Sequence, residues 1–150
     1  KRFMGKALIA YVSVDGHTKQ LAEFLAEGFR MRGQQVDLKK VSELKTTEDF
    51  QGYDAYLFGC PTYHQDMTQN MKTFLFQAKK AGLEGKVGGA FGTYTHSGDA
   101  PAMILDTMKH VFKMNTTSLG ALNLLEHLLD GGEGMKAGHD YAKAIAESLE

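Results

Sequence analysis

Three short segments carry the residue types that bind or position a reacting group: Ser13-Val14-Asp15-Gly16-His17-Thr18, Cys60-Pro61-Thr62-Tyr63-His64-Gln65-Asp66 and Thr93-Tyr94-Thr95-His96-Ser97-Gly98-Asp99. The first lies where the apolar run Ala7–Val12 gives way to a helical pattern opening at Lys19. The start of a helix leaves its first N–H groups unpaired and carries a partial positive charge, so a loop of Ser, Gly and Thr gathers donors around one anion, phosphate above all. The other two segments add Tyr63, His64, Tyr94 and His96 as flat faces for stacking. Thr62, Thr93, Thr95 and backbone groups add hydrogen bonds. Together they call for a phosphate at the first loop and a flat, partly polar ligand between the second and third.

Each residue also has a plainer role to set beside this one. Asp15-Gly16 alone is a common turn dipeptide, and its place after the first strand is what favours the phosphate. Cys60, the single cysteine, reads as a small buried residue at a strand end with no cation beside it. His64 and His96 lack a third ligand at metal spacing, so ligand contact is favoured and no metal site is assigned. His110, His127 and His139 read as surface residues, Met67 and Met71 as core filling, and Gly131-Gly132-Glu133-Gly134 as a flexible turn.

The elements that must position these loops alternate along the chain. Lys6–Val12, Gln35–Val41, Tyr53–Gly59, Val87–Thr93 and Thr116–Leu124 read as strands. Between and after them run helical stripes: Leu21, Phe24, Leu25, Gly28 and Phe29; Met67, Met71, Phe74, Leu75 and Ala78; Ile104, Leu105, Met108, Val111 and Phe112; and Tyr141, Ala142, Ile145, Ala146 and Leu149. Thr46–Gln51 supplies a weaker crossover between the second and third strands. Such alternation predicts an α/β fold, a doubly wound, five-stranded parallel sheet with helices on both faces. Its ligand lies in the crevice beyond the strands' carboxyl ends, where all three loops fall.

Composition narrows the function. The 150 residues suit a single domain spanning 1–150, with residues 1–3 read as a tag or linker before Met4. Seventeen Lys and Arg against 18 Asp and Glu leave no field to recruit nucleic acid or an anionic membrane. No apolar run is long enough to span a bilayer, and one cysteine excludes an internal disulfide, so a cytoplasmic protein is expected.

Flavin mononucleotide (FMN) has the shape of the ligand called for, and the chain resembles the flavodoxin family over nearly its whole length. It is most similar to the flavodoxin-like domain of flavodiiron proteins. SVDGHT looks like the family's T/S-x-T-G-x-T phosphate loop, GCPTYHQ is similar to its G-S-P-T-Y/H segment, and FGTYTHSGDA resembles F-G-S-Y-G-W-S-G-E. One such loop would be weak, but three in order on the right elements are specific. Flavodoxins are a standard example of strand order 2-1-3-4-5 with FMN at the switch between the first and third strands, so that arrangement comes with the resemblance.

The resemblance implies FMN bound by Ser13, Val14, Asp15, Gly16, His17 and Thr18; by Pro61, Thr62, Tyr63, His64 and Gln65; and by Thr93, Tyr94, Thr95, His96, Ser97 and Gly98. It implies an electron carrier that serves redox partner proteins, with His64 and His96 tuning the flavin. A homodimer is compatible with it. The alternatives are an FMN-dependent NAD(P)H or quinone reductase and a flavin-free interaction module. Three departures stand out. Asp15 replaces a hydroxyl or aromatic residue and repels a phosphate dianion, unless it points to solvent and leaves Ser13, Thr18 and the Gly16 and His17 N–H groups to the phosphate. His96 replaces a Trp. Tyr63-His64-Gln65-Asp66 has no Gly where the family turns a peptide toward half-reduced flavin, so weaker one-electron stabilisation is expected.

Overall fold

A computed structural model of the chain describes residues 4–150; the expected tag or linker at 1–3 lies outside the described residues. In chain order come β1 (Lys6–Tyr11), α1 (His17–Met31), β2 (Gln35–Lys40), two short 3-10 segments (Val41–Glu43 and Thr47–Phe50) and β3 (Ala55–Gly59). There follow β4 (Thr62–Tyr63), β5 (Asp66–Met67), α2 (Gln69–Lys79), β6 (Val87–Tyr94) and α3 (Ala100–His110). The chain finishes with β7 (Asn115–Thr116), β8 (Leu122–Leu125), a 3-10 turn (Glu126–Leu129) and α4 (Gly132–Ser148). The main sheet runs β2-β1-β3-β6, all parallel, and both β7 and β8 pair with β6. This is the expected five-position order with the last strand interrupted, while β4 and β5 form a separate antiparallel hairpin.

The apolar run of β1 is continuous because the strand is covered on both sides, and Ala7, Leu8, Ile9 and Ala10 are all fully buried. Leu8, Tyr56 and Phe58 face the side covered by α2 and α3, whereas Ile9, Leu57 and Phe91 face α1 and α4. Helices α1 and α4 approach through glycines. A Cβ on Gly28 would stand 2.8 Å from Ala142 Cβ and from the His139 carbonyl oxygen, and one on Gly138 2.8 Å from Phe24 Cβ. This contact anchors α1, whose first residue, His17, directly follows the first loop. Among the described residues no helix is long and apolar enough to cross a membrane.

Several local expectations change. The strand expected over Thr116–Leu124 breaks at a turn in which Gly120 takes φ +76 and donates its N–H to the Thr117 carbonyl, and the Tyr141 hydroxyl donates to the Gly120 carbonyl at 2.7 Å. The Thr46–Gln51 crossover is a 3-10 segment, its start held by Asp49, whose carboxylate accepts from the Lys45 and Thr46 N–H groups. Helix α1 begins two residues before Lys19. Met67 belongs to the hairpin, because Thr68 caps α2 by accepting from the Met71 N–H at 3.2 Å. Val111 and Phe112 lie past the end of α3, where Lys113 at φ 58 turns the chain back. Gly131–Gly134 is no flexible turn: Gly132 opens α4, and a Cβ on Gly134 would come within 2.8 Å of the Leu128 carbonyl. His139 is not a surface residue either. Its side chain is 12% exposed, 2.9 Å from Glu27 and edge-on to Phe24.

Candidate functional site

The first loop is built to present a helix start. Gly16 adopts φ +94, a conformation strained for any side chain, and a Cβ there would meet nothing within 4 Å, so the turn opens outward. Glycine cannot cap α1, and its neighbours do so instead. Ser13 Oγ accepts from the Gly16 N–H at 3.1 Å and the Lys19 N–H at 3.3 Å, and Asp15 Oδ1 accepts from the His17 N–H at 3.2 Å. Asp15 therefore does not turn away to solvent and leave the His17 N–H open. It folds back onto that N–H, where the helix start favours negative charge.

The His17 ring reinforces this geometry. Its Nδ1 lies 2.9 Å from Asp15 Oδ1 and 3.3 Å from Glu126 Oε2, so one imidazole stands between two carboxylates. These are close ion-pair distances without hydrogen-bonding angles, since Nδ1 is buried and has no hydrogen-bond partner. Partial burial opposes ionisation of Asp15, but the His17 N–H, ring and charge, with Asp15's own backbone N–H, hold its carboxyl below the ordinary range.

Thr18 has a different surrounding from that expected of a phosphate ligand. It is 1% exposed, and its hydroxyl meets that of Thr93, 0% exposed, at 2.8 Å. Two residues assigned to the ligand from separate loops thus clasp each other inside the protein.

The second loop closes as a hairpin. His64 (φ 52) and Gln65 (φ 63) form its two-residue tip, both left-handed, as a type I′ turn requires. The turn has the twist that joins adjacent strands, and it is made without glycine. Asp66 holds the base by accepting from the Met67 N–H at 2.7 Å and from Lys72 Nζ at 2.5 Å. Thr62 spends its hydroxyl on the third segment, accepting from the Ala100 N–H at 3.0 Å at the start of α3. Pro61 is buried and Tyr63 is exposed. Partial burial, then the charges of Asp15 and Glu126, push the Tyr63 phenol above its ordinary value, which places the hairpin in the field of the first loop.

Besides a recess of about 290 Å³ lined by Ser13, Gly16, Lys19 and Lys40, two open clefts flank the first loop. One of about 460 Å³ is lined by Val12, Val14, Tyr63, His64 and the start of α2. The other, of about 350 Å³, is lined by His17, Tyr94, Thr95, Leu125, Glu126, His127 and Asp130. His127 and the segment after β8 thus belong to the site, which the sequence reading missed; the signal was their position at the carboxyl end of the last strand. His96 and Gln65 are exposed and line neither cleft. Ser97 and Gly98 are half-buried, and the Gly98 carbonyl accepts from Asn123 of β8.

A parallel sheet in this order, with loops from β1, β3 and β6 gathered at one end, defines the flavodoxin-like class of α/β proteins. A flavodoxin-domain family model matches residues 8–124. The "NAD(P)H dehydrogenase (quinone)" of Cupriavidus metallidurans is 34% identical, across 78% of this chain and 71% of that protein. Among solved structures, a flavodoxin from the domain Archaea is similar with a TM-score of 0.79 and 26% identity, covering 93% of this chain and 98% of its own. Rubredoxin oxygen:oxidoreductase from Desulfovibrio gigas is similar with a TM-score of 0.84 and 22% identity, covering 99% of this chain and 37% of its own. The chain belongs to the flavodoxin family, and with that family goes FMN as cofactor.

The residues present fit this group. The helix start and the outward-open Gly16 turn suit a phosphate, and Tyr63 and Tyr94 stand at clefts on either side. To free the donors there, Asp15, whose side chain is 45% exposed, must swing off the His17 N–H, and Ser13 Oγ must release the Gly16 and Lys19 N–H groups.

Proposed function

We propose that the chain is an electron-transfer protein that carries FMN between redox partners. The observation behind this reading is the convergence of three loops at the carboxyl ends of β1, β3 and β6 around one helix start. Ser13, Gly16 and His17 hold the phosphate, while Tyr63, His64, Tyr94 and Thr95 border the ring. When bound, FMN takes up and releases electrons singly or in pairs. The chain's own part is to orient it, to keep water from one face and to set the charge around it. His64, Glu126 and His127 are the polar groups at the clefts able to do this. His96, exposed and lining neither cleft, is not among them. Partners meet a surface of near-zero net charge, so their rates should depend modestly on salt.

A second reading is supported by the relatives named NAD(P)H dehydrogenase (quinone): an enzyme that moves a hydride from NAD(P)H to FMN and on to a quinone. The open clefts beside Tyr63 and Tyr94 give it room. The two separate on one assay. The FMN-loaded protein is mixed with NADH or NADPH, with and without benzoquinone. A carrier leaves the nicotinamide unoxidised until a reductase is added. Rapid quinone-dependent oxidation by the protein alone favours the enzyme.

A further inference from the structure

We propose that Asp15 is a resident substitute for the ligand's phosphate, so that this flavin site takes unphosphorylated riboflavin nearly as well as FMN. The proposal rests on the flavin reading above and concerns what the site selects within it. Three donors at the start of α1 that a phosphate would use are already engaged by the chain itself. Gly16 and Lys19 give their N–H groups to Ser13 Oγ, and His17 gives its own to Asp15 Oδ1. The negative charge that a helix start attracts is likewise already supplied by the Asp15 carboxylate. Nor does His17 leave a surplus cation: its Nδ1 is 2.9 Å from Asp15 and 3.3 Å from Glu126, so a protonated ring faces two carboxylates and the group of three stays negative.

Two cations oppose this negative charge: Lys19 and Lys40 line a recess with Ser13 and Gly16, which Asp15 and His17 do not line. Asp130 lines the His17 cleft and adds to the negative side. A phosphate that takes the His17 N–H must displace Asp15 from it and then remain beside that carboxylate. The contacts it gains are offset by those it breaks and by like-charge repulsion, so the phosphate adds little to an affinity that comes from the ring and its polar chain.

The test is titration of the flavin-free, full-length protein with FMN and with riboflavin, read by quenching of flavin fluorescence, in wild type, Asp15→Asn, Asp15→Ala and Glu126→Gln. Wild type should hold the two flavins with dissociation constants within about tenfold of each other. Removing a unit charge a few ångströms from a phosphate in a solvated site should tighten FMN roughly tenfold in both Asp15 variants, leaving riboflavin within about twofold. Glu126→Gln should act in the same direction and less. A wild-type preference for FMN of about a hundredfold or more overturns the proposal, as do Asp15 variants that leave FMN unchanged or tighten both flavins equally. In those cases the flavin reading stands. If neither flavin binds any of the four proteins, the flavin reading itself fails and the proposal falls with it.

Discussion

Thr18 and Thr93 separate a structural role from a ligand-binding one, and the magnitudes follow from their surroundings. Their hydroxyls meet at 2.8 Å, and the residues are 1% and 0% exposed, so each is the other's partner in a place water does not reach. Thr18→Val replaces one hydroxyl by a methyl of similar shape. It loses a hydrogen bond worth about 1 kcal/mol net and leaves Thr93 with a buried, unsatisfied hydroxyl costing about 1–3 kcal/mol, partly offset by the added apolar contact. Thr93→Val does the same from the other side. The double variant has no orphaned group and should lie within about 1 kcal/mol of wild type, giving a coupling of about 1–3 kcal/mol. Urea unfolding measures this, since at ordinary slopes a loss of 2 kcal/mol lowers the midpoint by about 1 M. Additive single losses would refute the clasp. So would single variants of normal stability that no longer bind FMN, which would point the Thr18 hydroxyl at the ligand.

Three further outcomes are expected. Gly28→Ala gains about 1 kcal/mol of helix propensity but drives a Cβ to 2.8 Å from the His139 carbonyl and Ala142; overpacking of about 1–3 kcal/mol should win, and a raised urea midpoint would contradict the α1–α4 contact. Burial pushes the Cys60 thiol up to about 11, with Thr68 pulling weakly the other way, so iodoacetamide at pH 8 should label it only in denaturant; native labelling seen by mass spectrometry would contradict its burial. The Tyr53 hydroxyl, donating at 2.5 Å, and Lys6 at 3.3 Å hold the Asp37 carboxyl below its ordinary value against partial burial. A depressed folded pKa contributes stability that is complete above the unfolded value of about 4 and is lost as the pH falls through the lower folded one, so Asp37→Asn should flatten part of the acid limb of urea midpoints; an unchanged limb would contradict it.

The sheet was legible because its inner strands β1, β3 and β6 are buried on both faces: a run such as Ala7–Ala10 has no polar interruption that could mislead. The helix stripes were legible because each helix buries a single face at i, i+3, i+4 spacing, and their errors fell at the ends. Val111 and Phe112 continue the spacing of α3 past its end at His110, just before Lys113 turns the chain, and Met67 continues that of α2 backwards into a hairpin. A type I′ turn made by His64 and Gln65 carries none of the usual Asn-Gly signal, so the second loop looked irregular. Within the site, residue types identified the loops but not where each side chain is engaged. Thr62 is committed to Ala100, Thr18 to Thr93 and Asp15 to His17, and the first two partners are distant in sequence. His127 was missed because nothing local distinguishes it; only the path of β8 brings it to the cleft beside His17.

A map of backbone amide NMR shifts during titration with FMN shows directly whether one ligand occupies the meeting point of the three loops. The largest changes should fall on 13–18, 62–66, 93–98 and 125–127, with the His17 N–H among the strongest as Asp15 leaves it. Changes concentrated elsewhere, for instance along the groove of Leu75, Phe76 and Met103 between α2 and α3, or no changes at all, would contradict it.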